Sequence, residues 1–128
     1  MADVRAHMSR DLLTVEPAAT VLDVARRMVE RNVGAVLVLE AGGLVGIMTE
    51  RDVLRAVARG LRDDATVADC MTRDPETIAP DDPLSLAATM MIHGGFRHLP
   101  VVEGGGVVGI HSIRDLVQVL EDSAPRGA

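Results

Sequence analysis

The sequence predicts an α+β fold built as a tandem, pseudo-two-fold repeat of β-α-β-β-α units, and three observations predict it. Laying Met8 on Met71 and holding the offset of 63 makes roughly 16 of 50 paired positions identical without a gap. Each copy carries one run with apolar residues at helical spacing, then two aliphatic runs parted by glycines, then a second helical run. Two copies are too few to stack as a solenoid, so the repeats (1–62 and 63–122) are expected to pack as one module, followed by a flexible tail at 123–128.

The elements follow in order. Val4 to Met8 reads as a short helix and Leu13-Thr14-Val15 as a short strand closed by Pro17. Thr20 is suited to cap a helix whose apolar face is Val21, Val24, Ala25, Met28 and Val29, and Asn32 or Gly34 is suited to end it. Ala35 to Leu39 and Leu44 to Met48, around Ala41-Gly42-Gly43, predict a hairpin. A helix from Thr49 to about Arg59 completes the unit, and Gly60 closes it. In the second copy the same elements fall at Thr66 to Met71, Thr77-Ile78, Pro83 to His93, His98 to Val102, Val107 to His111 and Ser112 to Glu121. Only 61–65 links the copies. Met90 and Met91 either fill core gaps or form a subunit contact, since Met90 falls where the first copy has Arg27.

Composition narrows the function. A net charge of -6 argues against a binder of phosphate backbones, and Phe96, the one aromatic residue, cannot make a base-stacking platform. Nucleic acid is therefore not an expected partner, nor is a membrane, because no run approaches the apolar length of a span. With no apolar leader at its start the chain is expected to be cytoplasmic, and Met1 with the small, polar end reads as a complete small protein, the other possibility being a regulatory piece severed from an enzyme or transporter. Cys70 has no cysteine to pair with and is expected to be a buried, inert thiol. His7, His93, His98 and His111 lack metal-ligand spacing, so no metal is expected. No nucleophile–base pair emerges either, and the chain is not expected to be an enzyme.

The residues that could carry chemistry sit after each hairpin. Gly46-Ile47-Met48-Thr49-Glu50-Arg51-Asp52 is matched by Gly109-Ile110-His111-Ser112-Ile113-Arg114-Asp115. A hydroxyl and a carboxylate three apart at a helix start are a capping box, stabilising the helix by about 1 kcal/mol. The same pair stands at the positive end of the helix, where a hydroxyl can donate to a phosphate and a carboxylate can accept from the two hydroxyls of a ribose. Gly46 and Gly109 would let a flat ligand approach the backbone. Capping and ligand binding can share these residues.

Together with Met71-Thr72-Arg73-Asp74-Pro75 and Phe96-Arg97-His98-Leu99-Pro100-Val101-Val102, the duplicated pattern resembles the cystathionine-β-synthase (CBS) domain pair, or Bateman module, over residues 3 to about 121. The resemblance implies a regulatory module binding AMP, ADP, ATP or S-adenosylmethionine in clefts between the repeats. It implies that Asp52 and Asp115 hold ribose hydroxyls and that Thr49 and Ser112 approach the phosphates, with Arg51 and Arg114 close by. Adenine would lie along Thr14-Val15 and Thr77-Ile78, with Gly34-Ala35-Val36 and Arg97-His98-Leu99-Pro100 as the remaining walls. The second cleft is expected to be the better site for an anionic nucleotide, because Arg97 and His98 stand where the first has Gly34 and Ala35. The family also implies a homodimer and a regulated partner protein. The alternative is a dimerisation or interaction module with vestigial clefts.

Overall fold

A computed structural model describes residues 2–123. In chain order the elements are α1 (Val4–His7), β1 (Thr14–Val15), α2 (Val21–Arg31), β2 (Ala35–Glu40), β3 (Gly43–Thr49), α3 (Glu50–Ala58), α4 (Val67–Cys70), β4 (Thr72–Arg73), α5 (Leu84–Gly94), β5 (His98–Glu103), β6 (Gly106–Ser112) and α6 (Ile113–Ser123). The α+β class and the repeated unit stand as expected.

The compact units are offset from the repeats of the sequence. Leu12–Pro75 forms one unit, and the residues up to Asp11 join those from Glu76 onward in the other. Backbone bonds at matching offsets produce this exchange. The Val67 and Ala68 amides donate to the carbonyls of Ala19 (2.8 Å) and Pro17 (3.0 Å). Sixty-three residues earlier, those of Val4 and Arg5 donate to Asp82 (3.0 Å) and Pro80 (2.9 Å). Each leading helix thus packs with the body of the other repeat.

In the Leu12–Pro75 unit the sheet order is β1-β2-β3-β4, with β1 parallel to β2 and the other pairs antiparallel. Thr20 caps α2 by accepting from the Asp23 amide at 3.2 Å, and Asn32 ends it in the left-handed conformation. Val21, Val24 and Met28 meet Val15, Val36, Val38, Met48 and Val67 in the core. Each such side chain stabilises the fold by about 1.5–3 kcal/mol relative to exposure. Val29, expected on the buried face, is 81% exposed. Cys70 is half-buried against this core rather than enclosed by it.

The other unit is built on the β5–β6 hairpin, with Leu99 and Val101 packed against Val4, Met8, Ile78, Ala87 and Met91. Met91 is a core residue, and Met90 lies half-buried at its rim. Arg5 ties α1 down by donating to Glu103 at 2.7 Å and to Asp81 at 3.2 Å. Both acids raise its pKa further.

Two further expectations fail. The short strand at Thr77-Ile78 is only a single parallel bridge, Ile78 to Val101. In the sister unit the Leu37 amide donates to Leu13 at 3.0 Å. Position 100 corresponds to Leu37 and holds proline, which has no N–H, so that rung is lost. Ser123, expected in the tail, closes α6; the remaining tail, 124–128, lies outside the described residues. Among the described residues no helix is long and apolar enough to cross a membrane.

Candidate functional site

Both acids singled out by the repeat stand in the first turn of a helix, held by the predicted capping geometry. In the Leu12–Pro75 unit the Asp52 Oδ2 accepts from the Thr49 amide at 2.9 Å and lies 3.2 Å from its hydroxyl, while the Asp52 amide donates to Thr49 Oγ1 at 3.3 Å. A further donor comes from β4: the Thr72 hydroxyl lies 3.2 Å from Asp52 Oδ1. Arg55 stands 3.8 Å from the same oxygen. A carboxylate offers about four acceptor positions, and this one is largely claimed; Asp52 is 6% exposed.

Asp115 differs. Its Oδ2 accepts from the Ser112 amide at 2.8 Å, and its own amide donates to Ser112 Oγ at 3.2 Å. No described donor reaches Oδ1, and the side chain is 24% exposed. The residue matching Thr72 is Ser9, whose hydroxyl instead accepts from the Asp11 amide at 3.3 Å. The second carboxylate therefore keeps acceptor capacity that the first has spent within the fold.

The walls can be placed against these acids. Gly34 and Arg97 each offer a backbone carbonyl to the first residue of the helix that carries the acid: Glu50 donates to Gly34 at 3.0 Å and Ile113 to Arg97 at 2.8 Å. Ala35 pairs with Thr49, and His98 with Ser112. Arg97 and Arg114 are exposed, as is Arg51. The second unit thus carries two exposed guanidinium groups on the segments that flank Asp115. Val36, Leu99, Val15 and Ile78 are core side chains, so a ligand could meet them only through their backbone. Pro100 is likewise buried, whereas Thr14 and Thr77 are exposed.

Within the Leu12–Pro75 unit the expected residues are divided. Thr14 and Val15 line an open recess of about 780 Å³ with Arg27, Leu39 and Gly42. Asp52 lines another, of about 450 Å³, with Thr72, Arg55, Arg59 and Cys70.

The glycines of the motif do not leave room for a flat ligand. A β-carbon at Gly46 would lie 2.5 Å from Met71 Sδ, and one at Gly109 would lie 2.6 Å from Met8 Sδ. The glycines admit the methionine of the leading segment. Two residues escaped sequence reasoning: Thr72 as a partner of Asp52, and His111 as a buried ring. The signal for each was in the alignment, where Thr72 matches Ser9 and His111 matches Met48.

Comparisons with known proteins bear on the family and the fold. The CBS domain family profile matches residues 2–59 and again 67–122. The CBS domain-containing protein YhcV of Bacillus subtilis is 34% identical over 127 residues, covering 97% of this chain and 91% of that protein. The structure of the CBS domain pair of protein MJ0100, in complex with 5′-methylthioadenosine and S-adenosyl-L-methionine, superposes with a TM-score of 0.91 at 25% identity. It covers 97% of this chain and 99% of that one. The CBS domain protein PAE2072 from Pyrobaculum aerophilum, complexed with AMP, superposes with a TM-score of 0.84 at 30% identity, covering 94% of this chain and 97% of that one. Three curated relatives at 39–40% identity are longer, and the chain spans 66%, 23% and 22% of their lengths.

Proposed function

The chain belongs to the CBS domain family, and from that premise we propose that it is a regulatory module binding an adenine nucleotide or adenosyl ligand, with Asp115 gripping the ribose. The observation that carries this reading is the asymmetry of the two acids. Asp115 Oδ1 accepts from no described donor, whereas Asp52 is engaged by Thr49 and Thr72. In this reading Ser112 and the exposed Arg97 and Arg114 face the ligand's anionic end, and Thr77 lies along its base. The complexes named for MJ0100 and PAE2072 support the ligand class. The role is regulatory rather than catalytic: ligand biases a conformational equilibrium by its differential affinity for two states, and a partner protein reads the result.

Thermal melts with AMP, ADP, ATP and S-adenosylmethionine test the reading. At 100 times its dissociation constant a ligand adds about 2.7 kcal/mol, which raises Tm by about 10 °C in a domain of this size. Asp115→Asn should abolish that shift, and Asp52→Asn should leave most of it. Silence across all four compounds, or an undiminished shift in Asp115→Asn, would overturn it.

A second reading, pairing of two copies of this chain, has its own observation. Val29, Leu54 and Val57 are 81%, 69% and 57% exposed, and their counterparts 63 residues later, Ile92, Val117 and Leu120, are 75%, 53% and 71% exposed. The same apolar trio is thus bared on helices of each unit, the kind of exposed apolar patch that association of two copies can bury. Sedimentation should find twice the 13.6 kDa of the chain, and Val57→Glu combined with Leu120→Glu should return it to a monomer. A wild-type monomer at high concentration would eliminate this pairing.

A further inference from the structure

The ring of His111 lies fully buried on β6, and neither of its nitrogens has a hydrogen-bond partner. Its counterpart in the sister unit is Met48, equally buried. An imidazole therefore occupies a core position that the repeat fills elsewhere with a thioether. An unpartnered buried polar group costs stability, and such groups call for a reason.

The surroundings supply one. Across the hairpin His111 faces the buried Leu99, which offers no charge. From α6 the Asp115 Oδ2 stands 3.6 Å from Nδ1, and from α1 the nearby titratable group is His7. We propose that His111 is a proton-gated positioning residue for Asp115: the neutral ring leaves the carboxylate to the ligand, and the protonated ring draws it into an ion pair and releases the ligand. The inference rests on Asp115 being the ribose grip.

The sign follows from the environment. Burial, the largest effect, lowers the pKa of His111 below the ordinary histidine value, His7 lowers it as well, and Asp115 opposes them. The ring is thus neutral near pH 7, and the unfolded chain takes up this proton before the folded one does. Stability from this residue is complete above the unfolded pKa of about 6.5 and is lost as pH falls through the folded value. Protonation of a ring this enclosed strains the packing of α1 and α6 as well as capturing Asp115.

The probe is 5′-methylthioadenosine, because AMP carries a phosphate that itself titrates near pH 6. Wild type, His111→Met (the residue of the sister unit) and His111→Gln are each melted without ligand at pH 7.5 and 5.5. Binding of the probe is measured by calorimetry at both values. Acidification should lower the wild-type Tm more than that of either variant and weaken wild-type binding about tenfold, while the variants hold their Kd within about twofold. Equal pH dependence in all three proteins overturns the gate. If none binds the probe at pH 7.5, the gating of that ligand fails, while the melts with the four other compounds decide the ligand class separately. The ligand-free melts still report separately whether His111 is proton-sensitive.

Discussion

The hydroxyl of Thr72 reaches 3.2 Å from Asp52 Oδ1, across 20 residues of chain. The contact exists because β4 lies antiparallel on β3, with Thr72 opposite Ile47, one turn of chain before the helix that carries the acid. It binds the segment that opens the second repeat to the cap of the helix that closes the first.

Removing that hydroxyl should cost stability. Thr72→Val keeps the shape and β-propensity of the side chain but strips Asp52 of one donor, and hydrogen bonds to charged groups contribute about 1.5–3 kcal/mol when buried. Thr72 is itself exposed, so the expected loss is about 1 kcal/mol, read from urea denaturation. Ser9→Ala at the matching position should cost less, because the Ser9 hydroxyl accepts from the neutral Asp11 amide instead of donating to a carboxylate. Equal losses at the two positions would mean that the Thr72–Asp52 bond contributes nothing particular.

The two capping acids should rank in opposite orders for stability and for ligand. Asp52→Asn turns an amide NH₂ toward the donors of Thr49 and Thr72 in a nearly closed site, and should cost about 1–3 kcal/mol. Asp115→Asn has a single amide donor to disturb and should cost about 1 kcal/mol or less. Denaturant midpoints at pH 7.5 give both numbers. An Asp115 variant less stable than the Asp52 variant would show that the open carboxylate has a structural role that its free oxygen does not suggest.

The repeat was legible in the sequence because Met8, Gly46 and Asp52 each return after 63 residues, and helical spacing located the long helices. Periodicity could not reveal which body each leading helix joins. That is settled by backbone bonds such as Val4 to Asp82 and Val67 to Ala19, whose donors any residue but proline could supply. The loss of the strand at Thr77 was readable in hindsight, since Pro100 had no amide to give. Val29 shares the helical spacing of the core residues of α2, yet it and Ile92 are bared together. The acids were found at their helix starts, but their inequality depends on the hydroxyls of Thr72 and Ser9, which make different bonds from matching positions.

The paired glycines and methionines should behave as one unit of packing. At both positions an added methyl meets a methionine sulfur and a backbone oxygen. The distances are 2.5 and 3.0 Å at Gly46, and 2.6 and 2.9 Å at Gly109. Gly46→Ala and Gly109→Ala should each destabilise the protein by about 1–3 kcal/mol through overpacking. Shortening the methionine should relieve part of that cost, so a double-mutant cycle of Gly46→Ala with Met71→Ala should show coupling above about 0.5 kcal/mol. Strict additivity would place the strain on the backbone oxygen alone.

Cys70 should react slowly while the protein is folded. Burial against the Leu12–Pro75 core raises its thiol pKa above the ordinary cysteine value, with Asp69 and Asp52 adding to the rise and Arg59 opposing it. The nucleophile is the thiolate, so at pH 8 folded Cys70 presents less of it than an unfolded chain would. Alkylation by iodoacetamide at pH 8, followed by mass, should therefore accelerate on unfolding in urea. The same shift carries a stability sign. A thiol harder to ionise in the folded state contributes fully below the unfolded pKa of about 8.5, and that contribution is lost as pH climbs toward the folded value. Cys70→Ala should accordingly flatten the alkaline limb of the stability profile, measured by denaturation between pH 7.5 and 10. A wild-type profile that falls no faster than that of the variant, with folded and unfolded chains alkylated at one rate, would show that the packing around α4 does not shield the sulfur.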